Sequence, residues 1–178
     1  MKEKVLIIGG GSNLPTFNAD DYDIVVRINL GICEGDCDVW VWGGSSRIFK
    51  RDFLYKSIEA LIGDSQYKKL LRVDGRPITE ETCPLNALDK ASTISKELYW
   101  DLAASYKNES KKTKPTSGLM AILYYLHLGE DVTIIGFDGY STPNRFIKEE
   151  NHNPRSHDLN VERAAFDSLH SDGLIKRL

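Results

Sequence analysis

A chain of 178 residues, 41% hydrophobic and 28% charged, has the size and balance of one soluble domain with a buried core. The formal net charge of -3 argues against bulk, sequence-independent nucleic-acid binding, which needs a basic face; an anionic small molecule met by a few placed cations stays open. No segment approaches the ~18 apolar residues of a membrane span, the short apolar run from Val5 to Ile8 does not read as a signal peptide, and Cys33, Cys37 and Cys83 make neither a disulfide framework nor a zinc set, so a reduced, cytoplasmic protein is expected.

In chain order, the first predicted element is an apolar strand over 4–8, as expected where both sheet faces are covered. Gly9-Gly10-Gly11-Ser12-Asn13 is expected to end it in a tight turn. Strands are predicted over 23–28 and 38–42, both rich in Val, Ile and Trp, with Trp40 and Trp42 assigned to the core. Gly43-Gly44-Ser45-Ser46 closes the third strand; a helix over 47–61 and a strand over 69–73 follow. The segment 74–114 is the least patterned, with one helix over 95–106 and a lysine-rich stretch over 108–114, and it is the natural place for a lid or acceptor contacts. Pro115-Thr116-Ser117-Gly118 leads into an apolar helix over 119–128, which Thr or Ser can cap and Gly129 ends. A buried strand over 131–137 comes next. The last helix is predicted over 159–170, with Asp158 as a candidate N-cap and Val161, Ala164, Ala165, Ser168 and Leu169 on one face. A short strand over 174–178 ends the chain. This alternation predicts an α/β fold: a single Rossmann-like domain over 1–178, with a mostly parallel sheet flanked by helices.

Sheets of this kind bind ligands beyond the carboxyl ends of their strands. The polar residues that follow the strands are Gly9, Gly10, Gly11, Ser12 and Asn13, then Asn29, then Gly43 to Ser45, and Asp138-Gly139-Tyr140. Thr116, Ser117 and Gly118 join them if the helix they open points its amino end at that edge, where free N–H groups favour a phosphate. Leu14 stands where a dinucleotide fingerprint needs its third glycine, and no Gly-Lys-Ser/Thr run exists, which argues against an NAD-dependent oxidoreductase and a P-loop ATPase.

Three blocks, in order, carry a family resemblance. The segments 9–14, Val26-Arg27-Ile28-Asn29 and 38–43 are similar to the long motif of sialyltransferases. Lys114-Pro115-Thr116-Ser117-Gly118-Leu119-Met120-Ala121, running on to Val132 and Phe137, resembles their short motif. His157-Asp158-Leu159-Asn160-Val161-Glu162 resembles the very short motif, a His and a Glu separated by four residues. The similarity is to glycosyltransferase family 29, with parallels to bacterial family 42 in the Thr-Ser-Gly turn, in Gly136-Phe137-Asp138-Gly139-Tyr140 and in the later His. The resemblance implies transfer of sialic acid from CMP-sialic acid to a glycan hydroxyl, with inversion and with no metal or cofactor. The partners it implies are a nucleotide-sugar donor and a glycan acceptor.

On that resemblance His157 is the catalytic base and Tyr140 the hydrogen-bond donor to the departing phosphate. Asn29 contacts the nucleotide or donor sugar, and Ser117 and Gly118 hold the CMP portion; the turns at Gly9–Asn13, at Gly43 and at Thr116 complete the expected nucleotide site. The chemistry suits these residue types, because charge gathers on the leaving phosphate and an imidazole can take a hydroxyl proton at neutral pH. Taken alone, His157 reads as a surface histidine, and Glu162 as either an orienting group or a solvated carboxylate. Gly10 and Gly43 stand where relatives carry Asn, and Phe146 where family 42 has a second tyrosine. Those departures keep open a CMP-binding module without transferase activity, beside a related glycosyltransferase using another nonulosonic acid donor.

Overall fold

The computed structural model describes residues 1–12, 14–43, 66–79, 88–105, 114–138 and 157–178. The helix predicted over 47–61, Cys83, most of the lysine-rich stretch before Lys114, and Asn13, Tyr140, Phe146 and His152 lie outside them.

Among the described residues seven strands form one parallel sheet: β1 (Lys4–Ile8), β2 (Ile24–Ile28), β3 (Cys37–Val41), β4 (Tyr67–Arg72), β5 (Ala91–Thr93), β6 (Asp131–Ile135) and β7 (Ile175–Arg177). Their spatial order is β5-β4-β3-β2-β1-β6-β7. Chain order reverses between β1 and β6, which makes the carboxyl ends of that pair the topological switch point of a doubly wound sheet. The predicted α/β architecture is what forms.

The central strands are apolar on both faces because both are covered. Along β1, Val5 and Ile7 point into one core cluster and Leu6 and Ile8 into the other, all four fully buried. Three described helices, α1 (Lys96–Ser105), α2 (Ser117–His127) and α3 (Leu159–Ser171), contribute Tyr99, Leu102, Leu119 to Leu123, Tyr125, Ala165, Phe166 and Leu169 to the first cluster. They therefore share one face. Right-handed crossovers require this, since α1 and α2 carry the chain from β5 across to β6 and α3 carries it onward to β7, in the same direction. The run from β1 out to β5 goes the opposite way, and its described connections, with Leu14, Phe17, Tyr22 and Ile78, cover the second face. Trp40 and Trp42 anchor that face edge-to-face at 5.4 Å, as expected of core residues. Cys37 is buried there, and burial pushes its thiol up to about 12.

Several boundaries differ from expectation for local reasons. The strand after α2 stops at Ile135 rather than Phe137, because Gly136 turns the backbone at φ +69°. The short edge strand β5 inside the unpatterned middle segment is unexpected, since three residues, Ala91-Ser92-Thr93, are too few to show a period. The buried stripe of α3 is Glu162, Ala165, Phe166 and Leu169: Ala165 and Leu169 are buried as predicted, whereas Ala164 and Ser168 face solvent. A carboxylate among the core positions rotated the expected face by one residue.

Candidate functional site

The glycine run after β1 does not form the expected tight turn within its described part. Gly9 N–H donates to Ile135 O at 2.8 Å and Gly11 N–H to Gly136 O at 2.9 Å, so pairing with β6 continues past both strands. A Cβ on Gly9 would lie 2.5 Å from Gly136 O, and one on Gly11 2.9 Å from the same atom. These glycines allow two backbones to touch. Their N–H groups are engaged, so at this edge they offer a ligand close backbone approach rather than donors. Gly10 is half-buried, and Ser12 is exposed at the rim.

Asn29 stands directly after β2 at φ +50°, a left-handed conformation that Asn tolerates better than most residues. Its side-chain Oδ1 accepts the Gly43 N–H at 3.0 Å, and its carbonyl accepts Trp40 Nε1–H at 2.7 Å. Asn29 therefore clamps the carboxyl ends of β2 and β3 together. With Oδ1 held toward Gly43, the donor the amide can present to a ligand is its NH2. Before it, buried Arg27 donates to Asp36 O and Gly31 O and organises the 29–34 turn from below.

Gly43 sits against the amino end of α2. A Cβ there would fall 1.5 Å from Ser117 Oγ and 2.6 Å from Ser117 Cβ. On the other side, a Cβ on Gly118 would lie 2.6 Å from Phe137 Cε1, and the opposite edge of the same ring lies 3.0 Å from a Cβ placed on Gly9. Phe137 is thus a wedge between the β1 end and α2, its far side stacked edge-to-face on Phe166 of α3 at 5.5 Å. The first turn of α2 touches the end of β3 and, through Phe137, the end of β6. It sits over the ends of β1 and β2, which lie between those two strands.

Thr116 is the N-cap of α2, its Oγ1 accepting Leu119 N–H at 3.2 Å, and its own N–H goes to Glu162 Oε1 at 2.5 Å. Helix geometry leaves the first N–H groups without intrahelical acceptors. The cap and the carboxylate take up two, and Ser117 and Gly118 hold the others at the sheet edge, where the positive end of the helix dipole favours an anion.

His157 lies one residue before Asp158, whose Oδ1 caps α3 by accepting Asn160 and Val161 N–H at 3.2 Å each. Its Nδ1 is 2.6 Å from Lys114 O. A carbonyl can only accept, so Nδ1 carries the proton, and in the neutral ring Nε2 keeps a lone pair. Further along the same two segments, Glu162 holds Thr116 through N–H and through Oγ1, which donates to Oε2 at 2.9 Å. Glu162 is 2% exposed, and burial pushes its carboxyl up to about 7, against the lowering effect of the two Thr116 hydrogen bonds and with Asp158 nearby adding to the rise. The solvated reading of Glu162 is corrected here.

The structure therefore brings Gly9, Gly11, Asn29, Gly43, Thr116, Ser117 and Gly118 to one edge, with His157 tied to the loop that opens α2. Phe137 as the wedge was not legible in the sequence; of the two readings of Glu162, the orienting one agrees with its tie to Thr116. Glycines at 9, directly after a strand, and at 118, in the first turn of a helix, were the available sign that something bulky approaches both.

No protein-family model matches the chain, and no curated protein matches it in sequence. Solved structures do. A variant of the sialyltransferase CST-II in complex with CMP superposes with TM-score 0.63 at 17% identity, covering 99% of this chain and 80% of that one. CST-II in complex with a trisaccharide acceptor and CMP gives 0.59 at 16%, covering 98% and 79%. CstII from Campylobacter jejuni in complex with the substrate analogue CMP-3FNeuAc gives 0.57 at 17%, covering 98% and 78%. These neighbours do not support family 29 in particular. What the likeness establishes is the fold: this chain has the α/β fold of sialyltransferases solved with CMP.

Proposed function

We propose that this chain is a glycosyltransferase of the sialyltransferase type, which binds CMP-sialic acid at the carboxyl edge of its sheet and transfers the sugar to a glycan hydroxyl with inversion. The observation that carries the reading is the hydrogen bond from His157 Nδ1 to Lys114 O, next to an α2 amino end laid over the switch point. It leaves Nε2 as the proton acceptor of a histidine tied to an anion-favouring helix terminus. The fold it shares with proteins solved with CMP, a donor analogue and a trisaccharide acceptor supports the same reading.

In the proposed reaction the acceptor oxygen attacks the anomeric carbon and its proton passes to His157 Nε2. The bond to the phosphate breaks with its electron pair leaving on CMP. Ser117 and Gly118 N–H groups would meet the phosphate, and the Asn29 NH2 the nucleotide or sugar. Tyr140, which lies outside the described residues, is assigned to donate to the departing phosphate. Metal independence and the absence of a cofactor belong to the proposal.

The test is CMP release from CMP-sialic acid, with and without lactose, in EDTA. The native chain is expected to release CMP, and His157→Ala to lose roughly 100-fold or more of that rate while still binding CMP. Full release by the variant would remove His157 as base. Stabilisation by NAD and not by CMP would remove the reading altogether. The replacement of an otherwise expected Asn by Gly43, whose Cβ space Ser117 fills, favours the second reading, a CMP-binding module. Binding without release in the native chain would select it.

A further inference from the structure

We propose that Glu162 is the positioning residue of this site, holding the backbone of Thr116 so that the amino end of α2 keeps one set separation from the His157 imidazole. The inference rests on the nucleotide-binding reading above and names a residue that reading does not use.

Two ties join the start of α3 to the loop before α2. One runs from His157 Nδ1 to Lys114 O at 2.6 Å, the other from the Glu162 carboxylate to Thr116 N–H and Oγ1 at 2.5 and 2.9 Å. Both begin on one short segment made rigid by the Asp158 cap. Both end on residues flanking Pro115, whose ring fixes φ and removes a donor, so little freedom remains between them. Thr116 Oγ1 already accepts Leu119 N–H and therefore has its own proton to give. Only an acceptor can receive that proton while also receiving the Thr116 N–H, and a carboxylate supplies two.

Packing does not call for this residue. Position 162 lies on the same stripe as Ala165, Phe166 and Leu169, where an apolar side chain would bury without cost to any charge. What the carboxylate adds is a fixed place for Thr116, and hence for the Ser117 and Gly118 N–H groups that follow it. A shift of about 1 Å in groups of this kind is enough to lose about 100-fold in rate.

The experiment uses the full chain, with CMP as the probe. Glu162→Gln is expected to keep its stability at pH 8, yet to weaken CMP binding by isothermal calorimetry roughly tenfold, the scale of a buried hydrogen bond to a charged group. Its His157 should leave the single Nδ1–H form in imidazole ¹⁵N spectra. Asp167→Asn, on the solvent-facing side of the same helix, should bind like the native chain. A folded Glu162→Gln with native CMP affinity and an unchanged His157 form would overturn the proposal. A native chain that binds no CMP would instead remove the nucleotide reading, and positioning would then be decided by the His157 form alone.

Should Glu162→Gln fail to fold, the native protein decides. The charge that reaches Glu162 is that of Asp158 at the start of the same helix, with His157 and Lys114 tied to each other beside it. With ¹³C-labelled Glu side chains to identify the Glu162 titration, the amide signals of Ser117 and Gly118 should move in step with it and with Thr116. If Thr116 moves and the other two do not, Glu162 holds the cap without setting the site.

Discussion

Glu162 shows how one buried carboxyl can write a pH dependence into the whole fold. Its folded-state value is pushed up to about 7 from an ordinary 4.5, first by burial and then by the Asp158 charge. Between those two values the folded chain keeps a proton that the unfolded chain has lost. Stability from this group therefore grows as pH falls through about 7 toward 4.5, and it is lost as pH rises again. The magnitude is on the order of 3 kcal/mol across the window. Urea unfolding at pH 5 and pH 8 should show that slope in the native chain, and Glu162→Gln should flatten it; an equal slope in both would mean other groups carry it.

Between elements, the most informative contact is the wedge of Phe137 between Gly118 of α2 and Gly9 after β1. The ring fits because neither neighbour has a Cβ, and Phe166 closes it from α3. Gly118→Ala would place a methyl 2.6 Å from Phe137 Cε1, so the ring or the helix must move. Overpacking of this kind costs about 1–3 kcal/mol. The expected result is a lower urea midpoint with an unchanged m-value, partly restored by Phe137→Leu, and a Gly118→Ala chain as stable as the native one would mean that α2 is loosely seated.

Across the molecule, stability should follow the sheet order. β1, β2 and β6 are buried on both faces at the centre, while β5 and β7 are three-residue edge strands. Local opening takes least free energy where few apolar contacts hold a strand. Amide exchange is therefore expected to be slowest at Leu6, Ile7, Val26 and Ile134 and fastest at Ala91 to Thr93 and Ile175 to Arg177. Fast exchange at the centre of β1 would contradict the strand order. Among the described residues no helix is long and apolar enough to cross a membrane.

The amino-acid sequence alone determined the types of the longer described elements, though not the three-residue β5, and the edge at which polar residues gather. Apolar runs such as 4–8 and 131–135, glycine punctuation and the Thr116 and Asp158 caps are local signals, written in adjacent residues. The parallel order and the neighbourhood of Thr116, His157 and Gly43 were legible only as an expectation from motif order. Tertiary structure decided what each residue is occupied with. It sent the Gly9 and Gly11 N–H groups to β6, set Asn29 to clamp Gly43, and turned α3 so that a carboxylate faces inward. The reason is physical: a hydrogen-bonding group is assigned by the partner that reaches it, and those partners are far away along the chain, Ile135 for Gly9, Gly136 for Gly11 and, 46 positions on, Glu162 for Thr116.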